Sequence, residues 1–177
     1  VSSPSFMDKS FESIIHDRRS IRSFESTPIP DEVLHRITED INLCPTAGNI
    51  QSYHVYIVQN PKLIEQITIA SGQGWIQQAP CVFVFCCDFK DHYYGKRGTE
   101  LYSLQDATIA QTYAILACNK EGLKSCWVGS FVESEVSSIL NIPSHLRPIG
   151  LLPCGYSEAA PRHERSRRDV EETFTYC

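Results

Sequence analysis

Arginine gathers at both ends of this chain. Arg18, Arg19 and Arg22 stand with Ser20 in one five-residue stretch, and Arg162, Arg165, Arg167 and Arg168 crowd around a single Glu164. Guanidinium forks bind phosphate oxygens bidentately, so either cluster could seat an anion. A plainer reading is open for each. The first cluster could be cations at a helix C-terminus, favoured by a few tenths to one kcal/mol. The second could be a solvated arm. If the fold brings the two together, they make one pocket for a phosphorylated ligand.

Two further stretches could present polar groups to a ligand. Pro45-Thr46-Ala47-Gly48-Asn49-Ile50-Gln51 lies between a helical and a strand-like segment, where loops often carry binding groups on a rigid scaffold, or serve as plain connecting turns. In Gly122–Phe131 a strand-like run ends in Gly129, and glycine there would let a ligand approach the backbone closely. The eight cysteines (44, 81, 86, 87, 118, 126, 154 and 177) include no C-x-x-C pair. Four of them, Cys81, Cys86, Cys87 and Cys126, sit in apolar text, where free thiols behave as small hydrophobes. Core packing is expected, with disulfides or a metal or iron–sulfur site as the minor alternatives. His16, His35, His54, His92, His145 and His163 have no triad-like context, and no catalytic role is assigned to them.

These groups need a scaffold, and length and composition bound it. The 177 residues are about one domain's worth and can bury a core without disulfide staples. A net charge of −5 argues against general nucleic-acid binding, and 42% hydrophobic residues exclude disorder. The longest apolar run, Cys81 to Cys87, is too short to span a bilayer. The opening VSSPSFMDKS does not read as a secretion signal, which points to a cytoplasmic protein with a flexible 1–7 segment.

Periodicity supplies the elements. Helical spacing is expected over 8–17, then from Pro30-Asp31 with Val33, Leu34, Ile37 and Ile41 inward, and from Asn60-Pro61 to about Ala70. YHVYIVQ reads as a strand, and CVFVFCCDF as a strand covered on both faces. A long helix is expected from Thr99 to Glu121, closed by Gly122. Its stripe Ala107, Ala110, Ala114 and Ala117 suits either the centre of a domain or a subunit interface. SCWVGS and RPIGLLPCGY read as strands around a short helix at 133–140. Without a βαβ rhythm the class is α+β, a mixed sheet flanked by helices, in one domain over 1–177 with 158–177 as a C-terminal arm.

Taken in order, RRSIRSF, PTAGNIQ, DATIAQTYAILACNKEGLKSCWVGSF, PIGLLPCGY and RSRRDVEE resemble the FMN-dependent nitroreductase family over most of 12–172. Ser52-Tyr53 departs from the family's frequent Pro-Trp. The resemblance implies a mainly antiparallel sheet and a domain-entwined homodimer with FMN at the subunit interface. Arg18, Arg19 and Ser20 would contact phosphate and ribityl, and Arg22 the N1–C2=O edge of the flavin. Arg165 and Arg167 would close over the phosphate. Pro45, Thr46, Ala47 and Asn49 would cover the flavin of the other subunit. Val128 and Gly129 would offer backbone N–H groups to N5 and O4, and Gln73 would pair with the pyrimidine edge. The implied activity is ping-pong hydride transfer from NAD(P)H or another reductant, through N5, to a nitroaromatic or quinone, with no catalytic side chain and no metal. Dehalogenase, dehydrogenase or flavin-fragmenting chemistry, or a non-catalytic flavin relay, are the alternatives on the same fold.

Overall fold

The computed structural model describes residues 9–90 and 94–177; His92 and the expected flexible 1–7 segment lie outside them. At its centre are four strands, β1 (Tyr53–Val58), β2 (Cys81–Asp88), β3 (Lys124–Ser125) and β4 (Leu146–Gly155), in the order β1-β2-β4-β3. All three pairings are antiparallel. A parallel bridge joins Ser20 to Ser125.

The unbroken apolar text of β2 follows from its place in the middle. Successive side chains point to opposite faces, and here both faces are covered. Cys81, Phe83 and Phe85 pack with Leu152 and Cys154 under α2 (Asp31–Asn42) and α5 (Ser103–Lys120). Val82, Val84 and Cys86 pack with Leu151 under α3 (Pro61–Ser71) and α6 (Glu133–Ile139). β2 and β4 slip by one residue at a bulge, where Phe85 faces Gly150 and Cys86 faces Pro148.

The helices start and stop where local chemistry requires. α1 (Phe11–Asp17) is capped by Ser10, whose hydroxyl accepts from the Ser13 N–H. α2 buries Val33, Leu34, Ile37 and Ile41, as its spacing predicts. Asn60 Oδ1 accepts from the N–H groups of Lys62 and Leu63 to open α3, and Gly72 closes it in the left-handed region at φ 64°. The long helical path begins earlier than Thr99, at α4 (Gly95–Arg97), and passes through a π turn over Gly98–Tyr102 into α5. It ends in a Schellman motif: the Leu123 N–H donates to Cys118 O and the Gly122 N–H to Asn119 O.

Two expectations change here. The alanine stripe of α5 is an internal packing surface: Ala107, Ala110, Ala114 and Ala117 are buried within this chain. Small side chains let α5 sit close on α2 and the sheet, so the stripe needs no second subunit. The strand expected over SCWVGS shrinks to Lys124–Ser125 plus an isolated bridge from Val128 to Leu151. Pro153 on β4 has no N–H to give the residue opposite it, so the ladder lapses between those points.

The tail leaves β4 in an extended path and holds one short turn, α7 (Val170–Thr173), on the surface. Among the described residues no helix is long and apolar enough to cross a membrane.

Candidate functional site

The fold joins the two arginine clusters. After α1 the chain runs extended beside β3, where the Ile21 N–H donates to Ser125 O at 3.1 Å. Alternation buries Ile21 and leaves Ser20 and Arg22 on the open side. The tail crosses the same place, and Arg165 Nη2 donates to the carbonyls of Arg18 and Ile15. Arg18, Arg19, Ser20, Arg22, Arg162, Arg165 and Arg167 thus line one cavity of about 220 Å³, with Pro161 and His163. None of its lining side chains is acidic. Arg19 Nη1 also donates to the carbonyls of His16 and Arg18, so the helix-end reading holds for that residue as well. Arg168 does not line the cavity. Partial desolvation and the like charges of Arg19, Arg18 and Arg167 push the Arg165 pKa down.

Beyond Arg22 the surface continues into a polar shelf. The Arg22 guanidinium lies over the Trp75 ring, 6.0 Å from its centroid. Trp75 Nε1–H donates to Gln73 Oε1 at 3.2 Å, and Gln73 Nε2 donates to Ser130 O at 3.4 Å. Gly129 is exposed beside it, and its N–H has no partner among the described residues. Val128 differs from expectation. Its N–H donates to Leu151 O and its carbonyl accepts from the Leu151 N–H, both at 2.9 Å, so Val128 has no backbone donor to offer a ligand. Burial of its side chain instead anchors the neighbouring glycine.

The Pro45–Gln51 loop stands elsewhere. The Asp106 carboxylate holds both its ends, accepting from the Ala47 N–H at 3.0 Å and the Ser52 N–H at 3.3 Å. Between them Gly48, Asn49 and Gln51 adopt φ of 57°, 57° and 58°. The left-handed region strains non-glycine residues and is concentrated at functional sites. Pro45, Thr46 and Ala47 line a separate cavity of about 510 Å³ with Tyr102, Gln105, Asp106, Thr108 and Ile109. The loop is tied to Asp106, while α1 is tied to Asn119, whose Nδ2 donates to Ile14 O. Those anchors sit about 20 Å apart along α5 at the ordinary helical rise. Within one chain, therefore, the loop and the arginine cavity are distinct surfaces.

Sequence reasoning missed Trp75, Asp106 and His163 as parts of these surfaces, while Arg162 joins the cavity as a member of the second arginine cluster. Asp106 had a readable signal, since it stands at the head of the alanine stripe, next to Ala107, and once buried there must have a partner. Trp75 had only its position two residues after Gln73. Seven of the eight cysteines are buried and free, and Cys177 is exposed.

Comparison with known proteins gives the family. The family model described as "Nitroreductase family" matches residues 15–76 and 68–156. A Bacillus subtilis protein named FMN reductase, NAD(P)H, is 31% identical over 178 residues, covering 89% of this chain and 72% of its own. The crystal structure of a nitroreductase family protein from Clostridium difficile 630 superposes with a TM-score of 0.81 at 26% identity, over 95% of this chain and 98% of that one. One from Clostridium novyi NT gives a TM-score of 0.78 at 26% identity, over 88% and 89%. With the family's pattern matched across residues 15–156 and a relative 31% identical over most of both chains, the chain belongs to the nitroreductase family.

Proposed function

We propose that this chain is one subunit of an FMN-dependent NAD(P)H oxidoreductase that passes electrons to an electron-poor acceptor such as a nitroaromatic or quinone. The observation that carries this reading is the convergence of Arg18, Arg19 and Ser20 with Arg165 and Arg167 in one acid-free cavity, continuous through Arg22 with the Gln73–Gly129 shelf. That chemistry fits FMN: fixed guanidinium forks for one terminal phosphate, then a cation, an amide and a free backbone donor for a polar ring edge.

In this reading Arg18, Arg19, Arg165 and Arg167 neutralise the phosphate, and Ser20 supports the ribityl chain. Arg22 faces the edge where negative charge collects on reduction. The Gly129 N–H and the Gln73 amide orient the ring, with Val128 locking the glycine to β4. Bound FMN supplies the two-electron chemistry at N5, so no side chain is asked to act as acid, base or nucleophile.

A second copy of the chain completes the site. Pro45, Thr46, Ala47 and Asn49, too far along α5 to reach their own arginine cavity, would cover the flavin of the partner. Exposed apolar side chains support the pairing: Phe11 and Leu43 are 71% and 76% exposed, beside Leu116 and Tyr113. A patch of this kind marks an interaction surface. Residues 158–177 would act as the arm of this single domain. Seven buried free thiols suit the reducing cytoplasm.

Purified protein should release FMN, and no FAD, on denaturation, and should run as a dimer by light scattering. With flavin bound it should oxidise NADH or NADPH in the presence of a nitroaromatic. Bound FAD, or no FMN binding on reconstitution, overturns the reading.

A further inference from the structure

The residue between the two ring-facing groups is Trp75. It stands in the 3₁₀ turn Gly74–Gln78, anchored by the fully buried Ile76. Its ring meets Phe24 at 6.3 Å between centroids. Gln78 ties that turn to the arginine segment, since its Oε1 accepts from Ser23 Oγ at 3.3 Å and the Phe24 N–H at 3.4 Å. Trp75 and Arg22 are therefore held in register by backbone and side chain together.

Each edge of the indole then has a job. Its face carries the Arg22 guanidinium, an arrangement favoured by the ring quadrupole. Its N–H fixes the sense of Gln73. An amide can rotate to exchange oxygen and nitrogen, but with Trp75 Nε1–H donating to Oε1, the Nε2 end must point toward Ser130 O. One Nε2 hydrogen remains for a ligand carbonyl. Phenylalanine at this position could hold the arginine but could not orient the amide.

We propose that Trp75 is a positioning residue that holds Arg22 over its face and sets Gln73 as a hydrogen-bond donor, so that both groups meet the edge of the flavin in fixed geometry. This rests on the FMN reading above. Neither the arginine nor the glutamine is held there by any other ring or indole among the described residues.

The test is potentiometry of FMN-saturated protein with two substitutions. Trp75→Phe removes the N–H and keeps a ring face; Trp75→Leu removes both. FMN occupancy is read first, by absorbance. Both variants should make the bound flavin harder to reduce, Trp75→Leu by more than Trp75→Phe. Combined with Arg22→Ala, the Leu and Phe variants should give the same potential, because the face has lost its cation. Equal potentials for Leu and Phe with Arg22 present would overturn the role toward Arg22. Unmoved potentials at full FMN occupancy would overturn the whole role and make Trp75 a packing residue. If Trp75→Leu fails to fold, Trp75→Phe must still shift the potential, and adding Gln73→Leu must not shift it further; any other result overturns the role toward Gln73. A wild-type protein that binds no FMN overturns the flavin reading itself, and this proposal with it.

Discussion

Gly150 and Gln111 interlock: a Cβ on Gly150 would stand 2.1 Å from Gln111 Oε1 and 2.8 Å from two other atoms of that amide. Gln111 is fully buried on α5, and its Nε2 donates to Leu151 O at 3.2 Å, one residue past the bulge. Its Oε1 accepts from nothing among the described residues. The amide thus lies flat against the only residue type that leaves it room. Gly150→Ala should cost about 1–3 kcal/mol, the usual range for overpacking a core. Adding Gln111→Ala frees the space, so the double variant should be more stable than the sum of the single losses, by about 0.5–3 kcal/mol. Urea unfolding of the four proteins measures this; strict additivity would refute the interlock.

Asp106 offers a second test, because one buried carboxylate fixes a strained loop. Asp106→Ala strands the Ala47 and Ser52 N–H groups, and should cost about 2–3 kcal/mol on the scale of hydrogen bonds to charged groups. Amide hydrogen exchange should rise at those two residues before it rises in β2. Asp106→Asn keeps one acceptor and should lose less. Protection unchanged in both variants would mean the loop holds itself.

The sheet and helices were largely legible because burial leaves a period in the text. β2 reads as covered on both faces, and α2 as a stripe of Val33, Leu34, Ile37 and Ile41, since packing alone dictates those residues. The alanine stripe was ambiguous for a physical reason: small residues suit any close approach, whether to the chain's own sheet or to a second chain. The arginines were legible as chemistry but not as a site, because their meeting depends on the path of the tail, where Arg165 lies 150 residues along the chain from Ile15 of α1. Val128 misled because a backbone N–H carries no side-chain signature, and its partner Leu151 lies on another strand. Trp75 was invisible for a similar reason. An aromatic residue two positions after a glutamine is usually core, and only the structure brings Arg22 to its face.

The buried thiols predict how stability depends on pH. Burial, and then the neighbouring Cys87, push the Cys86 thiol from the ordinary 9.0 up to about 12. Burial also raises Cys44, Cys87 and Cys126, outweighing Arg147 at Cys87 and Arg22 at Cys126. A folded pKa above the unfolded one means the folded state keeps its proton longer. That contribution is complete below about pH 9 and is lost as pH rises toward 12. Unfolding free energy from urea curves should therefore be level between pH 7 and 8.5 and fall steadily above 9. Cys86→Ala should lower the plateau but flatten the fall. Under native conditions at pH 8, a thiol reagent should modify Cys177 alone. Fast labelling of a second cysteine would contradict the burial.

Arg22 and Arg165 should separate redox tuning from binding. Both line the same cavity, but only Arg22 reaches the Trp75 shelf, while Arg165 is held at the end of α1. If FMN lies as proposed, Arg22 sits where negative charge gathers on two-electron reduction. A cation there stabilises the reduced, anionic ring more than the neutral oxidised one. Arg22→Ala should make the flavin harder to reduce. A partly solvated contact of ~1–2 kcal/mol corresponds to roughly 20–45 mV for a two-electron couple, at about 30 mV per 1.4 kcal/mol. Arg165→Ala should instead raise the FMN dissociation constant through the phosphate and leave the potential almost unmoved. Potentiometric titration of both variants, saturated with FMN, distinguishes the roles. A potential that stays put or becomes more positive in Arg22→Ala would place Arg22 with the phosphate group instead, as one more member of the anion cavity.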